Sequence, residues 1–210
     1  MFVHSIDEAN CRKVTDFLPK LMEVFTGPNH MAHYLGEGKD GIVFRMFNPF
    51  DDNDRSLDRY ALKAWNPTFR ARSHETRIQR LAGEIRDGPF RVPRVLLDDQ
   101  RLGCLVMDFV PGKTAYRAIC ADKRFITESF SEKILDAFRA LNKAGITHGD
   151  PHLGNFMFTG EEKFLLGTRE VISDADIWII DFGRSVEAVS CADPERIVTD
   201  LMNRIVPDPD

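Results

Sequence analysis

Hydrophobic positions recur along the chain at spacings that are typical of helices and of strands. Apolar residues at helical spacing predict helices at residues 5–25, 73–86, 129–143 and 194–205. Short apolar runs that are bounded by turn residues predict strands. These runs are residues 30–47, which form a predicted hairpin, and residues 59–65, 92–98, 101–110, 156–158 and 177–181. The polar residues 49–56 are predicted to form a loop.

The order of these elements predicts a chain of the α+β fold class with two lobes. Antiparallel strands and one helix follow the first helix, and a connector then leads to a mostly helical region. We expect one domain, residues 1–210, in which residues 1–106 form an antiparallel-sheet N-terminal lobe with an extra N-terminal helix. Residues 107–112 are the predicted hinge, and residues 113–210 form a reduced, mainly helical C-terminal lobe. Ligands often bind between two such lobes.

Composition and charge narrow the class of protein. Hydrophobic residues make up 43% of the 210 residues and charged residues 29%, which is typical of a folded globular chain. The net charge of −5 argues against a nucleic-acid-binding protein, because phosphate backbones bind basic surfaces. Neither a membrane span nor an N-terminal secretory signal is expected from the apolar runs. The four cysteines lie far apart without a CxxC pair, which favours a reducing cytoplasm over a zinc or disulfide framework.

A glycine-rich stretch, LGEGKDGIV, places Gly36, Gly38 and Gly41 ahead of Val43. Glycines let a turn approach a ligand closely and present backbone N–H groups to phosphate. The same pattern also fits a tight hairpin turn without a ligand. Because the stretch lies between two predicted strands rather than before a helix, it argues against a dinucleotide-binding fold.

A lysine, Lys63, lies inside the apolar strand ALKAW. An unpaired lysine is costly to bury, so Lys63 is either an edge-strand residue that faces solvent or a phosphate-binding cation with a carboxylate partner. We prefer Glu75 as that partner, because Ile78 and Leu81 follow it on the apolar stripe of the next helix. Glu84 remains an alternative.

The stretch ITHGDPHLGNFMF, residues 146–158, has the polar residues of a catalytic loop. Asp150 can accept a proton from an attacking hydroxyl, and Asn155 offers a neutral oxygen to a hard cation. His148 is expected to be a buried structural residue. Asp181 ends a predicted buried strand in IIDFG, where a carboxylate is well placed to hold a metal ion.

The four patterns GxGxxGxV, AxK, HxDxxxxN and DFG follow one another in this order, and over residues 34–183 the chain resembles the protein-kinase superfamily. The resemblance implies ATP and Mg²⁺ as cofactors and a two-lobed protein-kinase-like fold. It implies that ATP is bound by Gly36, Gly38, Gly41, Val43, Ala61, Lys63, Met107, Asp108 and Val110. It also implies that Asp150, Lys63 and Glu75 are catalytic and that Asn155 and Asp181 hold Mg²⁺.

The chain departs from typical protein kinases in several places. Gly149 stands where regulated kinases have an arginine, which predicts an enzyme without activation-loop phosphorylation control. His152 stands where Ser/Thr protein kinases have a lysine, and it makes the loop similar to that of aminoglycoside phosphotransferases. Fewer than thirty residues follow the DFG triplet, so the later helices cannot all be present. The chain therefore resembles compact, truncated atypical Ser/Thr kinases, either small secreted bacterial effector kinases or the Bud32-like group, in which Asp200 would support the catalytic loop.

Three functional hypotheses follow from this resemblance. We favour an Mg–ATP-dependent phosphotransferase that acts on Ser or Thr of a protein substrate, because every catalytic side chain is present. The alternatives are a small-molecule kinase of the aminoglycoside type and a non-catalytic kinase-like scaffold. An activating protein partner remains open, and we expect a monomer that does not bind nucleic acid and has no membrane span. The expected location is the cytoplasm, with delivery into a host cell as a secreted effector left open.

Overall fold

A computed structural model of the chain describes residues 31–47, 59–66, 72–188 and 192–208. The predicted helix of residues 5–25 and the predicted loop of residues 49–56 lie outside these ranges. The residues form two compact units. Of the described residues, the first unit contains 31–47, 59–66, 72–73 and 95–109, and the second contains 74–94, 110–188 and 192–208. The division after Phe109 falls inside the predicted hinge, whereas residues 74–94 group with the second unit rather than with the predicted small lobe.

The first unit is a sheet of antiparallel strands with a core on one face. Its strands are β1 (Met31–Gly38), β2 (Gly41–Phe47), β3 (Tyr60–Trp65), β4 (Val95–Asp99) and β5 (Cys104–Asp108). They are hydrogen-bonded in the order β1-β2-β3-β5-β4. Alternate residues of the central strands form the core, which contains Ile42, Phe44, Met46, Leu62, Ala64, Cys104 and Val106. The predicted antiparallel sheet is confirmed.

The second unit combines few helices with a sheet of its own. The helices are α1 (Arg72–Gly83), nearly all of which belongs to this unit, a π-helical turn (Tyr116–Ala121), α2 (Glu128–Lys143) and α3 (Ala192–Leu201), which a 3-10 turn (Met202–Arg204) follows. The strands are β6 (Lys113–Thr114), β7 (Phe125–Thr127), β8 (Phe156–Leu166), β9 (Arg169–Ile179) and β10 (Ile205–Val206), in the order β10-β7-β9-β8-β6. The α+β class is confirmed, and the small number of helices fits a reduced lobe.

Helix α2 packs in the core of the second unit, and its own residues explain its start, its buried face and its end. The hydroxyl of Thr127 accepts a hydrogen bond of 3.3 Å from Phe130 N, which caps the first turn and stabilises the helix by about 1 kcal/mol. One stripe of the helix is buried, and it contains Phe130, Ile134, Leu135, Phe138 and Leu141. Gly145, with φ of +81°, ends the helix because a left-handed residue cannot continue it.

The hairpin of β8 and β9 is longer than the sequence predicts. Residues 156–158 and 177–181 were expected as short strands, but each strand has 11 residues and continues through the polar segment between them. Its outer half is held both by ion pairs and by the buried Val171 and Ile172 of β9. Arg124, whose side chain is 8% exposed, donates to Glu161 at 2.6 Å and to Glu170 at 3.1 Å. No helix in the described part of the chain is long and apolar enough to cross a membrane.

Candidate active site

The glycine hairpin, residues 36–43, joins β1 to β2 through a tight turn between the paired residues Gly38 and Gly41. A Cβ atom on Gly41 would overlap the carbonyl oxygen of Ala64, so β3 itself requires this glycine. By contrast, a Cβ atom on Gly36 or Gly38 would meet no atom within 4 Å. The fold of the first unit therefore does not explain these two glycines, and their open surroundings leave space for a ligand to approach the backbone.

Four of the predicted ATP-binding residues of β2, β3 and β5 share one face of the first sheet. Val43 lies opposite Lys63, Lys63 lies opposite Leu105, and Ala61 lies opposite Met107. Directly opposed residues of antiparallel strands project to the same side, and so do residues two apart along one strand. This face is the one opposite the hydrophobic core, which uses the alternate residues. The structure thus brings Val43, Ala61, Lys63 and Met107 together.

Lys63 is a buried residue of a central strand. Its strand, β3, lies between β2 and β5, and Lys63 is 6% exposed. The alternative of an edge-strand lysine that faces solvent is therefore wrong. Asp108 ends β5 and is half-buried, while Val110 is buried and belongs to the second unit.

Burial separates the two candidate partners of Lys63. Glu75 is 1% exposed in the first turn of α1, whereas Glu84 is exposed and follows the end of that helix. A buried carboxylate needs a charged or hydrogen-bonding partner, while an exposed one is solvated by water. Glu75 is therefore a carboxylate that needs a partner inside the protein, and its pairing with Lys63 stays a prediction.

The catalytic loop, residues 146–155, is anchored through His148. This residue is fully buried, and its Nε2 donates a hydrogen bond of 2.9 Å to Ile180 O. Its ring packs against Phe182 with a centroid distance of 5.3 Å and against Phe138 at 5.9 Å. Thr147 forms an antiparallel bridge with Val186. The expectation that His148 is structural is confirmed.

Asn155 connects the predicted base to the predicted metal ligands. Its Nδ2 donates to Asp150 O at 2.9 Å, and its own carbonyl oxygen accepts a hydrogen bond of 2.9 Å from Ile180 N. Because Nδ2 is used inside the loop, Oδ1 is the side-chain atom that suits a cation. Asp181 follows Ile180 directly, so Asp150, Asn155 and Asp181 are held by one set of hydrogen bonds.

Asp181 has an unusual backbone conformation for a residue with a side chain. Its φ of +61° lies in the left-handed region, which costs about 1 kcal/mol or more. The conformation is fixed on one side by the Ile180–Asn155 hydrogen bond and on the other by the fully buried Phe182. Such strain concentrates at functional positions, which agrees with the predicted role of the carboxylate.

The donor set of this loop fits Mg²⁺ rather than zinc. Within the described residues, no group of three or more His, Cys, Asp or Glu side chains is placed to hold a metal ion. One amide oxygen from Asn155 and one carboxylate from Asp181 are a sparse set of hard ligands. Mg²⁺ accepts such a set because water and substrate phosphate complete its coordination shell.

His152 has a local role in the same loop. Its Nδ1 accepts a hydrogen bond of 3.0 Å from Gly154 N, and its Nε2 lies 3.9 Å from Asp150 Oδ2. The first contact shapes the turn that leads to Asn155. The geometry of His152 is therefore explained without a substrate of the aminoglycoside type.

The turn after the DFG triplet explains Gly149. The φ of Gly149 is +76°, and a Cβ atom there would overlap the carbonyl oxygen of Arg184. No arginine or other side chain fits at this position.

The catalytic loop is supported by Ser185, whose Oγ donates a hydrogen bond of 2.8 Å to His148 O, whereas Asp200 is exposed. The expectation that Asp200 supports the loop is wrong.

Two arginines that the sequence did not indicate contact Asp150. Arg184 Nη1 lies 3.3 Å from Asp150 Oδ2, and Arg196 Nη1 lies 3.5 Å from Asp150 Oδ1. Arg184 follows the DFG triplet and could have been inferred from that position. Nothing in the sequence connects Arg196, on α3, with the catalytic loop.

Residues 71–203 match the ABC1 atypical kinase-like domain, and this segment is more than half of the chain. The chain belongs to this family. No curated protein matches the chain. Within the ABC1 segment lie Glu75, Asp150, Asn155 and Asp181, whereas the glycine hairpin and Lys63 precede it.

Membership of the ABC1 family confirms the resemblance to the protein-kinase-like superfamily. It limits the functional class to a phosphotransferase or a kinase-like scaffold. The closer resemblance to secreted bacterial effector kinases or to the Bud32-like group stays a prediction.

Proposed function

We propose that this chain is an Mg–ATP-dependent phosphotransferase that phosphorylates Ser or Thr of a protein substrate. The observation that carries the proposal is the link between Asp150, Asn155 and Asp181. Asn155 is hydrogen-bonded to Asp150 on one side and to Ile180, the neighbour of Asp181, on the other. Phosphoryl transfer depends mainly on positioning and charge neutralisation, and this arrangement holds the base and both metal ligands in place.

The proposed reaction moves one phosphoryl group and one proton. The hydroxyl oxygen of the substrate bonds to the γ-phosphorus of ATP while its proton passes to the carboxylate of Asp150. The bond between the γ-phosphorus and the β–γ bridging oxygen breaks, and ADP leaves with the electron pair. Mg²⁺, held by Asn155 Oδ1 and the Asp181 carboxylate, would neutralise charge on the phosphate oxygens.

The first unit is proposed to bind ATP on the face opposite its core. Gly36, Gly38 and Gly41 cover the phosphates, and Lys63 binds the α- and β-phosphates with Glu75 as its carboxylate partner. Adenine is proposed to contact the remaining predicted residues, which are Val43, Ala61, Met107, Asp108 and Val110. The open space at Gly36 and Gly38 supports this proposal.

A transfer assay separates this function from its alternatives. Labelled γ-phosphate from Mg–ATP is supplied to a eukaryotic cell lysate with the wild-type chain, Asp150→Asn, Asp181→Ala, Lys63→Ala or Asp200→Ala. Asp200 is an exposed aspartate of the second unit and serves as the matched control. We expect discrete labelled proteins with the wild type and Asp200→Ala, and none with the other variants.

Other outcomes assign the other functions. ATP consumption without labelled protein would indicate a small-molecule acceptor. Thermal stabilisation by ATP without consumption would indicate a scaffold. Labelling that survives in Asp181→Ala would contradict the assigned site. An activating partner, a monomeric state, and a cytoplasmic location or delivery into a host cell remain predictions.

A further inference from the structure

Arg184 and Arg196 both form ion pairs with Asp150, and both pairs are long. Each arginine contacts a different carboxylate oxygen, at 3.3 Å and 3.5 Å. Charge-assisted hydrogen bonds between nitrogen and oxygen are typically about 2.7–2.9 Å long. The two guanidinium groups therefore lie beside the carboxylate as loose ion pairs.

Both arginines keep donors available for a second anion. Their side chains are 51% and 58% exposed, whereas that of Asp150 is 18% exposed. Among the described residues, neither arginine forms an ion pair with another carboxylate. A guanidinium presents several N–H donors in a planar fork, and a single contact to Asp150 uses few of them.

The backbones that carry these arginines are firmly held. The carbonyl oxygen of Arg184 touches the position where a Gly149 side chain would lie, and the next residue, Ser185, bonds to His148. Arg196 lies on α3 next to Ile197, which is fully buried. Anchored backbones with exposed guanidinium groups are suited to recognition, because little order has to be created when a ligand binds.

The charge around Asp150 is positive although the whole chain carries −5. Two arginines face the one carboxylate of Asp150. Asp181 precedes Arg184 on the same turn, but its carboxylate is proposed to bind Mg²⁺. The surroundings of Asp150 therefore attract an anionic group on the substrate.

We propose that Arg184 and Arg196 form a specificity site for a carboxylate side chain next to the acceptor Ser or Thr of a protein substrate. This inference rests on the proposed phosphotransferase function. The acceptor hydroxyl has to come within hydrogen-bond distance of Asp150, and the arginines contact that same carboxylate. A residue that neighbours the acceptor thus comes within reach of both guanidinium groups, which bind carboxylate or phosphate in a bidentate manner.

The test uses peptides that differ only in the residues flanking one Ser. The flanks are alanine, glutamate, lysine or phosphoserine, and kcat and KM are measured for each peptide with saturating Mg–ATP. We expect the wild type to use the glutamate peptide with kcat/KM about tenfold above that of the alanine peptide, mainly through KM. A phosphoserine peptide with an even higher kcat/KM would support the same site with phosphate as the preferred group.

Variants of Arg184 and Arg196 show whether these arginines recognise the substrate or only hold Asp150 in place. In the double variant Arg184→Gln and Arg196→Gln, we expect the same kcat/KM for the glutamate peptide and the alanine peptide. Arg196→Glu is expected to shift the preference towards the lysine peptide, which a merely structural role would not produce. Arg139→Gln is the matched control, because Arg139 is 56% exposed and pairs with Glu132 and Asp136 on α2. It should keep the preference.

The failure of this inference can be told apart from the failure of the proposed function. Equal kcat/KM for the glutamate and alanine peptides in the wild type would overturn the specificity site while the kinase stands. A uniform fall in kcat with every peptide in the double variant would overturn it as well. If no peptide is phosphorylated, the affinity of each fluorescently labelled peptide is measured by fluorescence anisotropy instead. Tighter binding of the glutamate peptide that the double variant loses supports the site, and equal binding overturns it.

Discussion

The glycine hairpin of the first unit and the catalytic loop of the second unit are held to different degrees by their own chain. The hairpin ends β1, which among the described strands is hydrogen-bonded to β2 alone, and the space around Gly36 and Gly38 is open. The catalytic loop is tied to residues 180–186 by hydrogen bonds of His148, Asn155 and Thr147.

This difference suits the tasks proposed for the two segments. Segments with few buried contacts and exposed backbone open at low cost, whereas a buried, hydrogen-bonded loop keeps its geometry. A cover over phosphates has to admit ATP and release ADP. A base and two metal ligands have to stay within a fraction of an ångström of their productive positions. Substitutions in the two segments should therefore have different effects, and the largest is expected at a buried charge.

Glu75→Gln is expected to lower kcat/KM for ATP-dependent transfer by about 100-fold, because Lys63 would lose the carboxylate proposed to offset its buried charge. The measurement is steady-state transfer with varied ATP. Glu84→Gln is the control, since Glu84 is exposed and lies beyond α1. The reverse ranking would assign the role to Glu84 and separate Lys63 from Glu75.

Gly149→Ala tests whether the catalytic loop depends on a turn that only glycine can adopt without strain. A methyl group there would overlap the carbonyl oxygen of Arg184 at a φ of +76°, so we expect a loss of about 2–3 kcal/mol in the free energy of unfolding. Urea denaturation measures this loss. Gly145→Ala is the matched control, because Gly145 also has a positive φ, of +81°, but has open space around it. Equal losses in both variants would show that φ alone, without the contact to Arg184, sets the cost.

Gly41→Ala and Gly38→Ala compare two glycines of the same hairpin. Gly41→Ala is expected to destabilise the first unit by about 1–3 kcal/mol, because the new methyl group overlaps the carbonyl oxygen of Ala64. Gly38→Ala, in open space, should leave stability unchanged or slightly raised while KM for ATP rises. Thermal denaturation and ATP titration report the two effects. An unchanged KM in Gly38→Ala would argue against phosphate binding at this turn.

Local sequence patterns predicted the elements whose causes are local. The apolar stripe of α2 and the hairpin around the glycines needed only their own residues, and both are present. The burial of Lys63 needed one further step, because a lysine in an apolar strand permits two interpretations and only the strand order decides between them.

The remaining features depend on contacts between distant residues. The outer half of β8 and β9 depends on Arg124, which precedes β7 and pairs with Glu161 and Glu170, and on β7, which pairs with the buried Val171 and Ile172. Arg196 reaches Asp150 only because α3 packs near the catalytic loop. Gly149 was interpreted as a change in regulation, whereas the structure shows a position with no space for a side chain. A pattern within one sequence window contains none of this information.

The smallest expected effect is a change in the alkylation rate of a cysteine. Cys104 lies in the first unit and Cys120 in the second, so each reports on the opening of its own unit. Cys104 is fully buried in the core of the first sheet, and burial, with Asp99 and Asp98 nearby, raises the pKa of its thiol to about 12. Cys120 lies half-buried on the π-helical turn of the second unit. A raised pKa keeps the thiol protonated, so at pH 8 only about one Cys104 in 10⁴ is a thiolate even where reagent reaches it.

Iodoacetamide at pH 8 is therefore expected to alkylate Cys120 well before Cys104, with peptide mass spectrometry measuring both rates. Raising the pH to 9.5 should leave Cys104 slow, since that pH is still far below its raised pKa of about 12. Gly41→Ala should speed the labelling of Cys104 without changing that of Cys120, because the first sheet then opens more often. Equal rates for both cysteines in the wild type would mean that the first sheet opens as a whole, and the openness assigned to the glycine hairpin would extend to the core beneath it.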